Sequence, residues 1–334
     1  MTLKQRKEAF VELGNYLKND FYIDFSEKID EATIKNPWFV KNNIKTALDN
    51  WANQLDSDMF DAWLTPYQIN EIVIPKKVLI IMAGNIPLVG FHDFLSVIVL
   101  GHNVVIKLSS HANVLMPAVI NKLIDINPNI NKNIEFIDEV KDRSFDAVIA
   151  TGTDNSSKYF DYYFKNTKKI IRKNRRSIAI LDGSETKIEL EGLANDVFSY
   201  FGLGCRNVSK VFLREGYDLN KLFDVFYFYS NVVQHKKYAN NYDYNKTVSL
   251  MNDNKILDNG FLLLKEDKSH LSPTGMLYYE FYTDYDVLEE SIASISESIQ
   301  CVVSKASIPF GCAQKPNLWD YADGIDTIEF LRNL

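Results

Sequence analysis

Apolar residues recur at helical spacing through the first part of the chain. Phe10, Leu13 and Leu17 share one face, and Ile44, Leu48, Trp51 and Leu55 repeat the stripe further on. The spacing predicts helices over residues 1–70, the second opening at Asn36-Pro37 with Asn36 as its cap and Pro37 in its first turn. A stripe of this kind faces a core, and Trp38 and Trp51 are read the same way.

From residue 77 the period changes. Lys77 to Met82 is a short continuous apolar run, as in a parallel strand buried on both faces. A helix is predicted from about Pro87 to Leu100, with Gly101 placed to stop it. Strands then follow at 103–108, 134–137, 145–151, 169–171 and 177–181, with helices at 112–124 and 153–165 between them. The alternation predicts an open α/β sheet, which binds ligands in the crevice beyond the C-terminal ends of its strands. After Asp182-Gly183 a second unit begins, with a helical run up to Tyr200, a strand from Val208 to Leu213 and a Tyr/Phe/Asn-rich helical segment over 219–252. The aromatic stretch Phe223 to Tyr244 reads as core, with the wall of a ligand tunnel as the alternative. Further strands are predicted near 261–265, 276–282 and 300–304, then a loop-rich tail closing in a short helix capped by Asp326. The expected organisation is a helical region over 1–70, an α/β domain over 71–182, a second over 183–305 and a tail over 306–334 that packs on the body.

Composition narrows the function classes. A hydrophobic fraction of 46% in 334 residues supports a large core in two domains and excludes a disordered chain. The formal net charge of −7 argues against nucleic acid as a partner. Cys205, Cys301 and Cys312 are too few for a disulfide framework and fit a reducing compartment. The N-terminus leads into no apolar signal region, and the longest apolar run, Ile86 to Leu100, is broken by His92 and Asp93 and is too short to span a bilayer. A cytoplasmic protein without a membrane span is expected. The histidines have no ligand spacing, so no metal site is expected, and neither a P-loop nor a G-x-G-x-x-G fingerprint is found.

Four stretches carry chemistry. In Phe201-Gly-Leu-Gly-Cys-Arg-Asn-Val-Ser209, two glycines keep side chains away from the Cys205 sulfur and let backbone N–H groups approach it, as an accessible nucleophile requires. Ala83-Gly-Asn-Ile-Pro87 follows a strand and presents Asn85, a side-chain donor for an oxyanion. In Val104-Val-Ile-Lys-Leu-Ser-Ser110, Lys107 ends an apolar strand, where a charge calls for a ligand or a partner. Ala150-Thr-Gly-Thr-Asp154 joins a strand to a helix, so Gly152 and the N–H groups of the helix start face a pyrophosphate in this reading.

Asn85-Ile-Pro87, Val105-Ile-Lys-Leu-Ser109, Thr151-Gly-Thr153 and Gly204-Cys205, in that order, resemble the aldehyde dehydrogenase superfamily. Within it the chain is most similar to the LuxC-type acyl-CoA reductases, through Ala83 to Ser109, Phe201 to Lys210 and the tail Ala313 to Thr327. The resemblance implies a Rossmann-type NADP-binding domain, an α/β catalytic domain with a nucleophilic cysteine, and reduction of a fatty acyl-CoA thioester to the aldehyde with NADPH. It makes Cys205 the nucleophile and Asn85 the oxyanion asparagine. Cofactor contacts fall to Lys107, Ser109 and Ser110 on the adenosine-ribose side and to Thr151, Gly152 and Thr153 at the pyrophosphate.

The departures from the pattern carry as much meaning. Acid-forming relatives place a glutamate general base upstream of the cysteine, whereas Ile171-Arg-Lys-Asn-Arg-Arg-Ser177 puts Arg172 at or near that position. Loss of that base suits an acyl-cysteine that survives to be reduced. The cationic run is expected either to meet CoA or cofactor phosphates or to form a solvated face. Ser110 stands where NAD-preferring relatives carry a glutamate, which favours NADPH. Lys268-Ser-His-Leu-Ser-Pro273 shows no match to the usual ribose-binding glutamate. The alternatives are a reductase of another activated acyl group (acyl-ACP or acyl phosphate), an aldehyde dehydrogenase, or a non-catalytic binding protein on the same scaffold. The superfamily suggests a homo-oligomer, and an acyl-transferring partner protein stays open.

Overall fold

The strand Lys77–Ile81 (β1) feeds two cores with alternate side chains. Val78 and Ile80 enter one apolar cluster, and Leu79 and Ile81 enter another on the opposite face of the sheet. That is the physical reason for an uninterrupted apolar run: both faces are covered. The structure is a computed structural model, and residues 1–69, 74–152 and 154–334 are described. The chain divides into two units, one of residues 1–174 and 317–334 and one of residues 175–316.

The first unit opens with helices α1 (Leu3–Asn19), α2 (Phe21–Asp24), α3 (Ser26–Lys35), α4 (Lys41–Gln54) and α5 (Ser57–Leu64). β1 is followed by α6 (Phe91–Val99), β2 (Asn103–Lys107), α7 (Leu115–Ile126), β3 (Ile134–Phe136), β4 (Ala147–Thr151), α8 (Asp154–Tyr163) and β5 (Lys168–Arg172). All five strands are parallel, in the order β3-β2-β1-β4-β5. The order reverses direction at β1 and β4, so their C-terminal ends form the switch point where sheets of this kind bind ligands. The larger cluster holds Phe10, Leu13, Leu17, Ile44 and Leu48 of the N-terminal helices with α6, α7 and one face of the sheet. The stripes seen in the sequence therefore pack on the α/β layer. α6 is buried almost all round, and Gly101, at φ 86°, ends it as expected.

Asn36 departs from its expected role. The helix it was to cap begins later, at Lys41. Asn36 instead ends α3 and is buried, its Nδ2 donating to the Gly84 carbonyl at 2.8 Å and its Oδ1 accepting from Trp38 N–H. A buried amide is worth more against a distant carbonyl than at a solvated helix start.

The tail closes the first unit. Tyr321 accepts from Trp63 Nε1 at 2.7 Å, and Tyr67 donates to Asp326 at 2.6 Å. Asp326 caps the C-terminal helix Thr327–Arg332 as expected, accepting from Glu329 N–H. Ile328 and Leu331 of that helix are fully buried.

The second unit contains β6 (Arg176–Leu181), α9 (Lys187–Phe198), β7 (Val208–Arg214), α10 (Asn220–Phe226), α11 (Lys236–Met251), β8 (Ile256–Asp258), β9 (Leu263–Glu266), β10 (Met276–Tyr282), α12 (Tyr285–Ser294) and β11 (Ile299–Val303). Its sheet runs β11-β6-β7-β10-β9-β8, parallel except for the edge strand β8. The segment 219–252 is not one helix: a 3₁₀ stretch, Tyr227–Gln234, separates α10 from α11. Phe226, Tyr238 and Tyr242 are buried in the unit, whereas Tyr227, Phe228 and Tyr244 are exposed. Among the described residues no helix is long and apolar enough to cross a membrane.

Candidate active site

In the first unit the candidate residues gather at one edge of the sheet. Asn85 lies exposed on the loop after β1, Lys107 ends β2, Ser109 and Ser110 follow it, and Thr151 ends β4. Thr153 lies outside the described residues. Two glycines let neighbouring segments approach. A Cβ on Gly84 would stand 2.9 Å from both Ser109 Oγ and Ala112 Cβ, so the loops after β1 and β2 touch there. A Cβ on Gly152 would stand 2.8 Å from Ser156 Cβ and 3.2 Å from the Phe160 ring, so the start of α8 lies directly over it.

A cleft of about 580 Å³ opens beside this edge, lined by Ile81, Lys107, Lys141, Tyr159, Phe160 and Tyr163, among others. Its origin is topological. The connection from β3 to β4, residues 137–146, contains turns but no helix. α8 is the helix packed on that face, over Leu79, Val105, Val148 and Ala150, and the space between α8 and residues 138–141 stays open. Half-buried Lys107 shares the lining of this cleft with the aromatic rings and with Asp138 and Glu139. The volume lies within the ordinary range for small-ligand sites. Aromatic walls beside a lysine at a switch point suit the adenosine end of a dinucleotide, so the residues present fit that group.

Arg172 does not serve a ligand. It is buried in the first unit and pairs with Asp93, Nη2 to Oδ1 at 2.5 Å and Nε to Oδ2 at 3.3 Å. Nη1 donates to the Ala322 carbonyl at 2.6 Å, and Nη2 also donates to Thr327 Oγ1 at 3.0 Å. The expectation of a phosphate-facing or solvated side chain is therefore corrected for Arg172: a buried carboxylate on α6 claims it, as a buried charge requires.

In the second unit Cys205 follows an unusual piece of backbone. The capping box of Thr186 and Glu189 starts α9, which ends at Phe198. Tyr200 (φ 52°), Phe201 (φ 58°) and Gly202 (φ 73°) are then all left-handed. For the two aromatic residues this conformation costs roughly 1–2 kcal/mol each, and such strain persists only where surrounding contacts fix it. The contacts are present. Tyr200 is buried, and the Phe201 ring stacks on His235 at 4.2 Å. Asn207, fully buried, accepts from Gly204 N–H at 2.8 Å and donates to the carbonyls of Ser199 at 2.7 Å and Asp196 at 3.0 Å.

The loop leaves Cys205 half-buried, between exposed and core positions. Ser177 Oγ on β6 donates to the Cys205 carbonyl at 3.0 Å and lies 3.0 Å from Cys301 Sγ. Burial pushes the Cys301 thiol up, with nearby Arg206 opposing, which disfavours the reactive thiolate at Cys301. Asp196 is buried and accepts from Gly311 N–H at 2.7 Å and Ala313 N–H at 3.0 Å. Burial nevertheless pushes its carboxyl up to about 6. Among the described residues no group of His, Cys, Asp and Glu side chains is placed to hold a metal ion.

Sequence reasoning missed the supports of Cys205. Arg176 and Ser177 stood in the cationic run 171–177, which was read as facing phosphates or solvent, and Asp196, nine residues before Cys205, carried no local signal. Asn207 stood inside the motif, and an asparagine two residues beyond a candidate nucleophile, able both to accept and to donate, was the available clue.

The fold has many solved counterparts. Aldehyde dehydrogenase 21 from Physcomitrella patens, in complex with succinate, superposes with a TM-score of 0.70 at 13% identity over 100% of this chain and 84% of its own. An indole-3-acetaldehyde dehydrogenase complexed with NAD+ gives 0.66 at 11% identity, over 91% of this chain and 72% of its own. The NADP-dependent glyceraldehyde-3-phosphate dehydrogenase from Bacillus halodurans C-125, complexed with NADP, gives 0.63 at 13% identity, over 91% and 74%. At these identities the likeness establishes the fold: aldehyde dehydrogenase-like, with a Rossmann-type and a catalytic α/β domain. No curated protein matches the sequence. The family model for LuxC, acyl-CoA reductase, matches residues 20–226. That match takes in β1, β2, β4 and the Cys205 loop and supports an oxidoreductase acting on acyl or aldehyde groups; the chain belongs to the LuxC acyl-CoA reductase family.

Proposed function

We propose that this chain reduces a fatty acyl-CoA thioester to the aldehyde with NADPH, through an acyl intermediate on Cys205. One observation carries the reading: in a chain of the acyl-CoA reductase family, Cys205 is a half-buried thiol on a strained loop held by buried hydrogen bonds. Strain of this kind is found at functional positions. The first unit is the cofactor domain in this proposal and the second the catalytic domain.

The Cys205 thiolate attacks the thioester carbonyl, a C–S bond forms, and the tetrahedral intermediate expels the CoA thiolate. The Cys205 N–H donates to the oxyanion, and Asn85 takes the oxyanion role that the family motif gives it. Lys107, Ser109 and Ser110 hold the adenosine side of the cofactor, and Thr151, Gly152 and Thr153 the pyrophosphate. Ser110 leaves room for a 2′-phosphate without carboxylate repulsion, which favours NADPH. A reduced nicotinamide supplies the hydride when bound. With Arg172 standing where acid-forming relatives carry the glutamate base, and with the nearby Asp93 carboxylate held in its ion pair, that base is lost, so the acyl group persists until reduction. Collapse of the resulting thiohemiacetal releases aldehyde and returns the Cys205 thiolate.

The test is incubation of purified protein with NADPH and acyl-CoAs of graded chain length. NADPH loss with aldehyde formation and an acyl adduct on Cys205 by mass spectrometry are expected. Turnover only with acyl phosphate or acyl-ACP would move the reading to another carrier. An absence of NADPH loss and of any adduct would leave a binding protein.

A further inference from the structure

Two adjacent residues at the start of β6 grip the backbone on both sides of Cys205. Arg176 Nη1 donates to the Gly202 carbonyl at 2.9 Å and to the Gly204 carbonyl at 3.1 Å. Ser177 Oγ donates to the Cys205 carbonyl at 3.0 Å. The peptide units before and after the cysteine are therefore each held from one strand. A trans peptide is planar, with its C=O and N–H directed oppositely. Turning the Gly204 carbonyl onto Arg176 thus aims the Cys205 N–H away from the guanidinium.

The guanidinium also brings charge. Arginine keeps its proton in proteins. Burial lowers the Arg176 pKa, and the Cys205 side chain opposes that shift, so the two groups sense each other electrostatically. The other charged and titratable groups packed about the loop include Arg206, which donates to the Ala313 carbonyl, Asp196, which accepts from Gly311 and Ala313, Cys301 beside Ser177, and His235, whose ring stacks on Phe201.

We infer that Arg176 is the positioning residue of the nucleophile: its bonds to Gly202 and Gly204 set the direction of the Cys205 N–H, and its charge stabilises the Cys205 thiolate. The inference rests on Cys205 being the acylated residue. It adds to Arg206 of the motif a second cation, held on the backbone around Cys205, to activate the thiol.

The experiment compares the full chain with Arg176→Met and Arg176→Lys. Two readouts are taken: the pH profile of Cys205 alkylation by iodoacetamide, and the rate of acyl-adduct formation from a long-chain acyl-CoA without cofactor. In Arg176→Met the alkylation midpoint moves to higher pH, and adduct formation slows by roughly a hundredfold, as for loss of one oxyanion donor. Arg176→Lys restores a charge but not the planar fork, so its alkylation midpoint returns toward wild type while acylation stays slow. A folded Arg176→Met, judged by its melting temperature, with wild-type alkylation and acylation would overturn the inference. If that variant does not fold, Arg176→Lys decides, and wild-type acylation in it overturns the inference equally. Wild-type protein that forms no adduct on Cys205 refutes the acyl-cysteine reading itself, a result distinct from equal acylation of wild type and variant.

Discussion

Asp93 and Arg172 form an ion pair sealed inside the first unit, both residues almost inaccessible and the closest contact 2.5 Å. Thr327 and the Ala322 carbonyl also accept from the guanidinium, so the tail is tied to α6 and β5 through one side chain. Removing one partner strands a buried charge, which typically costs 3–5 kcal/mol. Asp93→Ala is therefore expected to destabilise the first unit by about that much. The check is a denaturant titration followed by tryptophan fluorescence, since all the tryptophans (Trp38, Trp51, Trp63 and Trp319) lie in that unit. An unchanged midpoint would contradict the structural role given to the pair.

Arg172 also shows where the sequence was opaque. A cation within a run of cations reads as solvated or ligand-facing, because its partner Asp93 is distant in the chain. β1, by contrast, was legible in itself, since burial on both faces leaves a continuous apolar record. The Cys205 motif was legible as composition but not as conformation: its glycines announced a turn, whereas the left-handed Tyr200 and Phe201 did not, as aromatic residues carry no such preference. The aromatic stretch after residue 219 hid its break because a 3₁₀ stretch keeps nearly helical spacing of side chains.

Asn85 is the next target. If its side chain donates to the oxyanion, Asn85→Ala lowers kcat by roughly 10²–10³ while the KM for NADPH changes little. Steady-state kinetics separate the two parameters. Unaltered kcat would remove Asn85 from the mechanism.

The cleft beside Lys107 gives a complementary expectation. Lys107→Met is expected to raise the KM for NADPH about tenfold and leave acylation of Cys205 by acyl-CoA alone unchanged, because it removes a charged hydrogen bond worth about 1.5–3 kcal/mol. Gly152→Ala pushes a methyl group against Ser156 and Phe160 and is expected to act in the same direction by displacing the start of α8. Cofactor titrations by fluorescence read both variants, and unchanged affinity in both would move the cofactor site away from this edge.

Asp196 makes the second unit sensitive to pH. Burial raises its folded-state carboxyl from the ordinary value of 3.8 to about 6. The folded chain thus holds that proton more tightly than the unfolded chain. The associated stability is fully present below the unfolded value and is lost as pH rises through about 6. The loss is on the order of 3 kcal/mol between pH 4 and pH 7. Asp196→Asn removes the titration, so the difference in unfolding free energy between wild type and variant is expected to change across that interval. A difference independent of pH would contradict the assignment.

Asn207 gives the sharpest test of how the Cys205 loop is built. Its Oδ1 accepts from Gly204 N–H, while its Nδ2 serves the Asp196 and Ser199 carbonyls. Asn207→Ala leaves these buried groups without a partner and is expected to cost about 2–4 kcal/mol, at 1–3 kcal/mol for each unsatisfied group less some relaxation. Asn207→Asp is the informative comparison. It keeps the acceptor for Gly204 but turns the donor into an anion facing two carbonyls, so it is expected to be no more stable than the alanine variant despite its near-identical shape. Iodoacetamide labelling of Cys205 should change in both variants as the left-handed turn relaxes. An aspartate variant as stable as wild type would show that the amide donors of Asn207 do not hold the turn, and the strain at Tyr200 and Phe201 would then need another source of compensation.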